Sequence, residues 1–252
     1  MKAPINYSTN YNRLTVLFMI FMSVLFTGCE KDDVSLFETG TVTDIDGNIY
    51  STVKIGTQWW MSDNLRTTKF NDGSNIESTS PNSLSVVFID TAVYQWAYLA
   101  NEAFAQIYGR LYTWYTVVDE RGVCPDGWHV PTDNDWTVLT DYLVDNGYGN
   151  GGEGIDIAKA MSSKTGFLQT GIEGVPGNKQ ELNNSSGFNA MPGGMRILTG
   201  LYLFAGGDAF YWSATASDST QAWNRLIDFD LSFVQRQAQP KNYGYSVRCV
   251  EN

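Results

Sequence analysis

The sequence predicts an α+β domain of antiparallel β-sheets, two to three helices and long loops. Short strand-like runs separated by turn residues both open and close the folded part of the chain. A helix with a capping signal and one apolar face lies between them. Two glycine-dense stretches, 146–154 and 165–187, read as surface loops within one domain, because no internal repeat and no proline-rich linker divides the chain. Thr39 to Asn252 is about 210 residues, long enough to bury one large core, and 43% apolar and 14% aromatic content over the chain supplies the side chains for it.

Residues 40–66, GTVTDIDGNIYSTVKIGTQWWMSDNLR, hold three short runs separated by DGN and GTQ, where glycine supplies positive φ. They predict a β-meander. Trp59 and Trp60 are adjacent, so alternation sends them to opposite faces, one into the core and the other covered by a helix in preference to exposed. From Tyr94 to Val118 the spacing of Leu99, Ala103, Phe104, Ile107, Leu111 and Trp114 fits a 3.6 period better than alternation and predicts mostly helix. In VCPDGWHVPTDNDW (123–136), Thr132 followed by Asp135 is an N-cap signal related to the capping box. Asp133 and Asp135 suit the positive end of the helix dipole. The helix carries Trp136, Leu139, Tyr142 and Leu143 on one face and ends near Asn146 and Gly147. The last quarter, with AFYWSATA, AWNRLIDFDL, FVQRQAQ and YGYSVRCV, predicts an antiparallel sheet whose final strand carries Cys249 and which brings both ends of the domain together.

Ahead of the domain, residues 1–28 read as a lipoprotein signal peptide: Lys2 and Arg13, no acid, then an apolar run from Leu14 to Phe26. That run is too short to cross a bilayer as a stable helix. LFTGC resembles a bacterial lipobox, with Cys29 as the lipidated first residue; an ordinary secretory signal is the competing reading. Residues 29–38 form an acidic tether whose EKDD resembles the export tag of surface-exposed lipoproteins in Bacteroidetes-type bacteria, the competing reading being a plain solvated spacer. The expected address is therefore the outer face of the outer membrane, with the lipid as the membrane contact. Net charge is −11 over the whole chain, and processing removes only basic residues, so the surface should repel phosphate backbones and nucleic acid is not an expected partner.

Catalytic chemistry finds few candidates. His129 is the chain's one histidine, with no second to share a metal or complete a nucleophilic triad, and is expected to hydrogen-bond to nearby backbone in an irregular turn. Once Cys29 is lipidated, Cys124 and Cys249 remain in a compartment that permits disulfides, and they are expected to pair. The bridge would close about 125 residues, worth roughly 4 to 5 kcal/mol on a chain-entropy basis before strain. A reactive Cys124 is the alternative, with His129 its sole available base. DIDGN (44–48) has the wrong spacing for a calcium loop and reads as a turn. No metal site, cofactor or catalytic residue is expected.

VCPDGWHVPTDNDW, GFNAMPGG (187–194), YWSATASD (211–218) and YSVRCV (245–250), with TVKIGTQWWMSDNL (52–65) and YGRLYTWYTV (108–117), resemble the Fibrobacter succinogenes major paralogous domain. The resemblance spans 39–252. Its terminal WSAT and SVRC pattern is also similar to the C-type lectin-like fold, so it implies a single C-type lectin-like domain. That fold is shared with formylglycine-generating enzymes and with calcium-dependent lectins. Their functional sets are absent here: no redox cysteine pair or histidine cluster, and WNR (223–225) without EPN where a calcium lectin carries its ligands.

The expected function is a non-catalytic binding module, a surface lipoprotein recognising a glycan or protein ligand. The alternatives are a structural or assembly component of a cell-surface complex, and a hydrolase using a carboxylate pair. Candidate ligand-binding residues are Tyr202, Asp208, Trp223, Arg225 and Arg236. Tyr202 and Trp223 also suit core packing, and the two arginines also suit pairing with Asp228 or Asp230.

Overall fold

The computed structural model describes residues 37–252. The expected signal peptide, Cys29 and most of the tether lie outside them. Strands β1 (Thr39–Thr43), β2 (Ile49–Ile55) and β3 (Gln58–Met61) form the predicted antiparallel meander. At its first turn Gly47 takes φ 81°, while Asp44 accepts from the backbone of Asp46 and Asn48 and from the Tyr50 hydroxyl. Trp60 is fully buried and Trp59 half-buried. A Cβ on Gly40 of β1 would come within 3.9 Å of the Trp59 ring.

The stretch from Tyr94 to Val118 departs from the expected helix. It folds as β4 (Gln95–Trp96), a 3₁₀ turn at Tyr98–Ala100, α1 (Glu102–Tyr108), β5 (Leu111–Tyr112) and α2 (Trp114–Val117), with β4 and β5 paired. Leu99 and Ile107, on the apparent helical face, are 58% and 53% exposed, whereas the buried side chains Trp96, Leu111 and Tyr112 sit in the two short strands. Helix α1 stops at Gly109, whose φ is 74° and where a Cβ would lie 2.8 Å from the Leu65 carbonyl. An aromatic-rich run satisfies both periods, and tertiary burial decided against the helix.

Beyond β6 (Trp128–His129) runs α3 (Asp133–Asp145), opened by a complete capping box between Thr132 and Asp135 and closed at Asn146 and Gly147. Trp136, Leu139 and Leu143 are buried, and Tyr142 lies over Gly56, where a Cβ would be 2.8 Å from its ring. The one-turn helix α4 (Ala158–Met161) follows.

β7 (Gly193–Arg196), β8 (Tyr202–Ala205), β9 (Asp208–Ala216), β10 (Gln221–Asp228) and β11 (Gln235–Pro240) form a second sheet in the order β11-β10-β9-β7-β8. The run 243–250, expected in that sheet, threads between the two sheets. It makes single bridges from Gly244, Tyr245 and Ser246 to Arg196, Tyr112 and Tyr211. Only β12 (Val250–Glu251) pairs regularly, in the first sheet, whose order is β1-β2-β3-β12-β6. Both ends of the domain do meet in one sheet. The disulfide between Cys124 and Cys249, with Cα atoms 5.9 Å apart, spans 125 residues and fastens this final run to the segment before β6.

β9 is buried on both faces. Phe210 and Trp212 pack toward Tyr245 and Tyr50, while Ala209 and Tyr211 pack toward Trp60, Trp136 and Phe188. Alternation along one strand thus feeds two aromatic-rich cores. Among the described residues, no helix is long and apolar enough to cross a membrane.

Candidate functional site

The five candidate residues fall in three places. Trp223, Arg225 and Arg236 come together on the β10 and β11 face that meets the start of α3. Trp223 and Arg225 share a face by strand alternation, and register sets Arg225 directly opposite Arg236. Two arginines opposed across a ladder would repel, so this face needs an anion. Asp133 supplies it: Arg225 Nη1 donates to Oδ1 at 2.8 Å, and Arg236 Nε and Nη2 donate to Oδ1 and Oδ2 at 2.9 to 3.1 Å. The arginines therefore pair with Asp133, not with Asp228 or Asp230 as the alternative reading had it. The Arg236 guanidinium lies 3.3 Å from the Trp223 ring centre, a cation–π stack.

The two arginines differ in access. The Arg225 side chain is 4% exposed, so it anchors the face and presents nothing to a ligand; that of Arg236 is 43% exposed. Burial pushes the Asp133 carboxyl up, and the hydrogen bonds from Arg236 and Arg225 more than offset this, leaving it below the ordinary carboxylate range. Asp133 had an assignment in the sequence as a helix-start acid. Its second role leaves no local trace, because Arg225 and Arg236 lie 92 and 103 positions away.

Asp208 stands elsewhere, at the start of β9 and paired in register with Asp228. Burial, and then the charges of Asp228 and Asp230, push its carboxyl up to about 7. Tyr202 is on β8 at the far edge of the second sheet, its ring 5.4 Å from Tyr98 and 5.8 Å from the Arg196 guanidinium. Neither joins the Trp223 face. Arg196 is itself fully buried, stacked 4.0 Å over Trp96 and donating to the carbonyls of Asn82 and Leu84.

His129 sits in β6 and not in an irregular turn, and its ring partners are side chains rather than backbone. Nδ1 meets Asn252 Oδ1 at 2.7 Å and Nε2 meets Asp135 Oδ2 at 3.2 Å. Asp135 is also the capping-box acid, so this constellation is consumed in fixing α3 to β6 and the C-terminus. Cys124 is disulfide-bonded. Among the described residues, no group of three or more His, Cys, Asp or Glu side chains could hold a metal ion.

The profile of the Fibrobacter succinogenes major domain matches residues 53–251. The chain belongs to this family. No curated protein and no solved structure matches it. Three of the motifs that carry the membership of this Fibrobacter succinogenes major domain, TVKIGTQWWMSDNL among them through Asn64, meet at Arg248, which is fully buried without an ion pair among the described residues. It donates to Asn64 Oδ1 at 2.8 Å, to the Asn189 carbonyl at 2.7 Å and to the Phe188 carbonyl, joining YSVRCV to GFNAMPGG. Buried charge held by carbonyls is expensive to leave unpaired, so these motif residues build the frame. Of the Trp223 face, Asp133 lies within VCPDGWHVPTDNDW, while Trp223, Arg225 and Arg236 stand outside the motifs.

Proposed function

We propose that this domain is a non-catalytic recognition module, carried on the outer face of the outer membrane by a lipid on Cys29 and binding a glycan or surface protein through the Trp223 and Arg236 face. The observation that carries the reading is the half-buried Trp223 ring stacked by a guanidinium that is itself fixed on Asp133. Such a face offers an aromatic edge and charged N–H donors with little conformational freedom left to lose. A C-type lectin-like frame suits it, with the terminal strands joined in one sheet and long loops standing off the second.

A glycan array probed with soluble residues 30–252, with calcium and again with a chelator, tests the proposal. Binding that ignores the chelator and disappears in Trp223→Ala supports it. Calcium-dependent binding would place recognition on an ion site instead, and binding unchanged in Trp223→Ala would remove this face from it. An assembly role is the second reading, favoured by the apolar stretch around Phe88, which is 96% exposed with Leu84 and Val87 exposed beside it. A partner that co-purifies from detergent-solubilised outer membrane and is lost in Phe88→Ser would support that reading.

A further inference from the structure

Beyond the Asp228 end of β10, away from Trp223, the long loop after α4 folds back on itself. Its arms, 164–170 and 177–181, line an open cleft of about 520 Å³. That is within the range of small-ligand sites, and larger than the clefts beside Cys124 and Asn242, about 320 and 230 Å³.

Hydroxyl, amide and ammonium groups line it: Thr165, Gln169, Thr170, Lys164 and Lys179, with Glu181 on one wall. The lining aromatic, Phe167, is 5% exposed and belongs to the core below, so an apolar ligand finds little to cover it. Charge is the second feature. The chain carries 16 basic against 27 acidic residues, yet this loop holds Lys164 and Lys179 against Glu173 and Glu181, with Lys159 just ahead of it in α4. Lys159 is consumed internally: its ammonium donates to the carbonyls of Asn178, Val175 and Lys179 and to Asn183 Oδ1. Lys164 and Lys179 make no ion pair among the described residues. With Glu181 beside them the cleft keeps one net positive charge, which suits a ligand with an isolated carboxylate better than a polyanion.

The third feature is order without regular structure. Gln180 bridges the arms as a peptide unit would, its Oε1 accepting from Phe167 N at 3.1 Å and its Nε2 donating to Phe167 O at 2.6 Å. Asn178 Nδ2 donates to Thr170 O at 3.2 Å, Thr170 N to Gly177 O at 3.2 Å, and Gly177 N to Phe229 O at 2.7 Å. Lys179 itself is left-handed, φ 46° and ψ 59°, a conformation that Gly or Asn adopts at lower cost. Strain of this kind, with loop arms fixed in advance, is characteristic of ligand clamps.

We propose that this cleft is a second binding site, for an acidic saccharide whose carboxylate is held between Lys164 and Lys179 and whose hydroxyls meet Thr165, Gln169 and Thr170. It stands independently of the Trp223 face.

Calorimetric titration of the full chain in detergent tests it, with the singly charged methyl galacturonoside, methyl mannuronoside and 3′-sialyllactose as acidic probes and lactose and inorganic phosphate as controls. At least one acidic probe should bind one per chain, at least tenfold more tightly than lactose or phosphate. Lys164→Gln with Lys179→Gln should weaken it tenfold or more, while Trp223→Ala and Arg236→Ala leave it unchanged. Both lysines are exposed, and an unchanged circular dichroism spectrum confirms that the double variant folds. No binding by any acidic probe overturns the inference, as does equal binding of lactose or phosphate. Binding that survives the lysine changes but is lost in Trp223→Ala also overturns it, and would assign the saccharide to the other face.

Discussion

The Trp223 face and the 164–181 cleft are two polar surfaces on one domain, fixed in opposite ways. At the first, regular elements do the positioning. Strand register sets Arg225 against Arg236, alternation sets Trp223 beside Arg225, and a capped helix start delivers Asp133 between the arginines. At the second, most of the wall has no regular element, and side chains bond to main chain in place of a ladder: Gln180 to Phe167, Asn178 to Thr170, Lys159 to three carbonyls. The first arrangement is as stiff as its sheet. The second is as stiff as a few hydrogen bonds, so the two should separate under perturbation.

The largest effect should fall on the frame that both share. Replacing Cys124 and Cys249 by serine frees a 125-residue span and should lower stability by about 2 to 5 kcal/mol. Urea denaturation should then show both regions lost in one transition. Two separated transitions would mean that the regions do not share a cooperative core.

Asp133→Ala comes next and separates them. It leaves Arg225, its side chain 4% exposed, without its anion while Asp133 itself is 21% exposed. The expected cost is about 2 to 3 kcal/mol, below that of breaking a fully buried pair. Adding Arg225→Met should recover much of it, and acidic-saccharide binding in the cleft should not change. The folded carboxyl titrates below its unfolded value of roughly 4. Its contribution is therefore complete above that pH and is lost as pH falls through the folded pKa.

Lys159→Met is the converse. It removes the donor from three carbonyls and Asn183 Oδ1 and should cost about 1 to 2 kcal/mol, partly local. Hydrogen exchange should accelerate at amides 164–182 and stay slow in β9 and β10. Uniform acceleration would show that the loop is not a separable unit.

The contrast also explains what the sequence made readable. The meander, the capped α3, the β9 and β10 runs and the disulfide partners all follow from patterns within a few residues, or from counting the cysteines left if Cys29 is lipidated. The stretch 94–118 misled because its aromatics fit two periods, and the run ending at Cys249 misled because a strand-like composition does not say which sheet it joins. Trp223, Arg225 and Arg236 stand among five candidates, and nothing local separates them from Tyr202 and Asp208 or points to their anion, since Asp133 has a sufficient explanation as a helix-start acid. The cleft left no signal beyond polar, glycine-rich composition, because bonds such as Lys159 to Asn183 have no period.

The smallest effect is predicted at Asp208, at the start of β9. Its carboxyl, raised to about 7 by burial and by Asp228 and Asp230, binds its proton more tightly folded than unfolded. Stability from this group is therefore present at low pH and is lost as pH rises from the unfolded value of roughly 4 through about 7. Solvent reaches part of the group and screens it, so the loss should be no more than about 1 kcal/mol. Asp208→Asn should raise stability at pH 8 by up to that amount and flatten the pH dependence between 4 and 7. If the variant is instead less stable at pH 8, the charged carboxylate has a donor that matters more than its acidic neighbours, and the end of β9 is held by that contact rather than weakened by like charge.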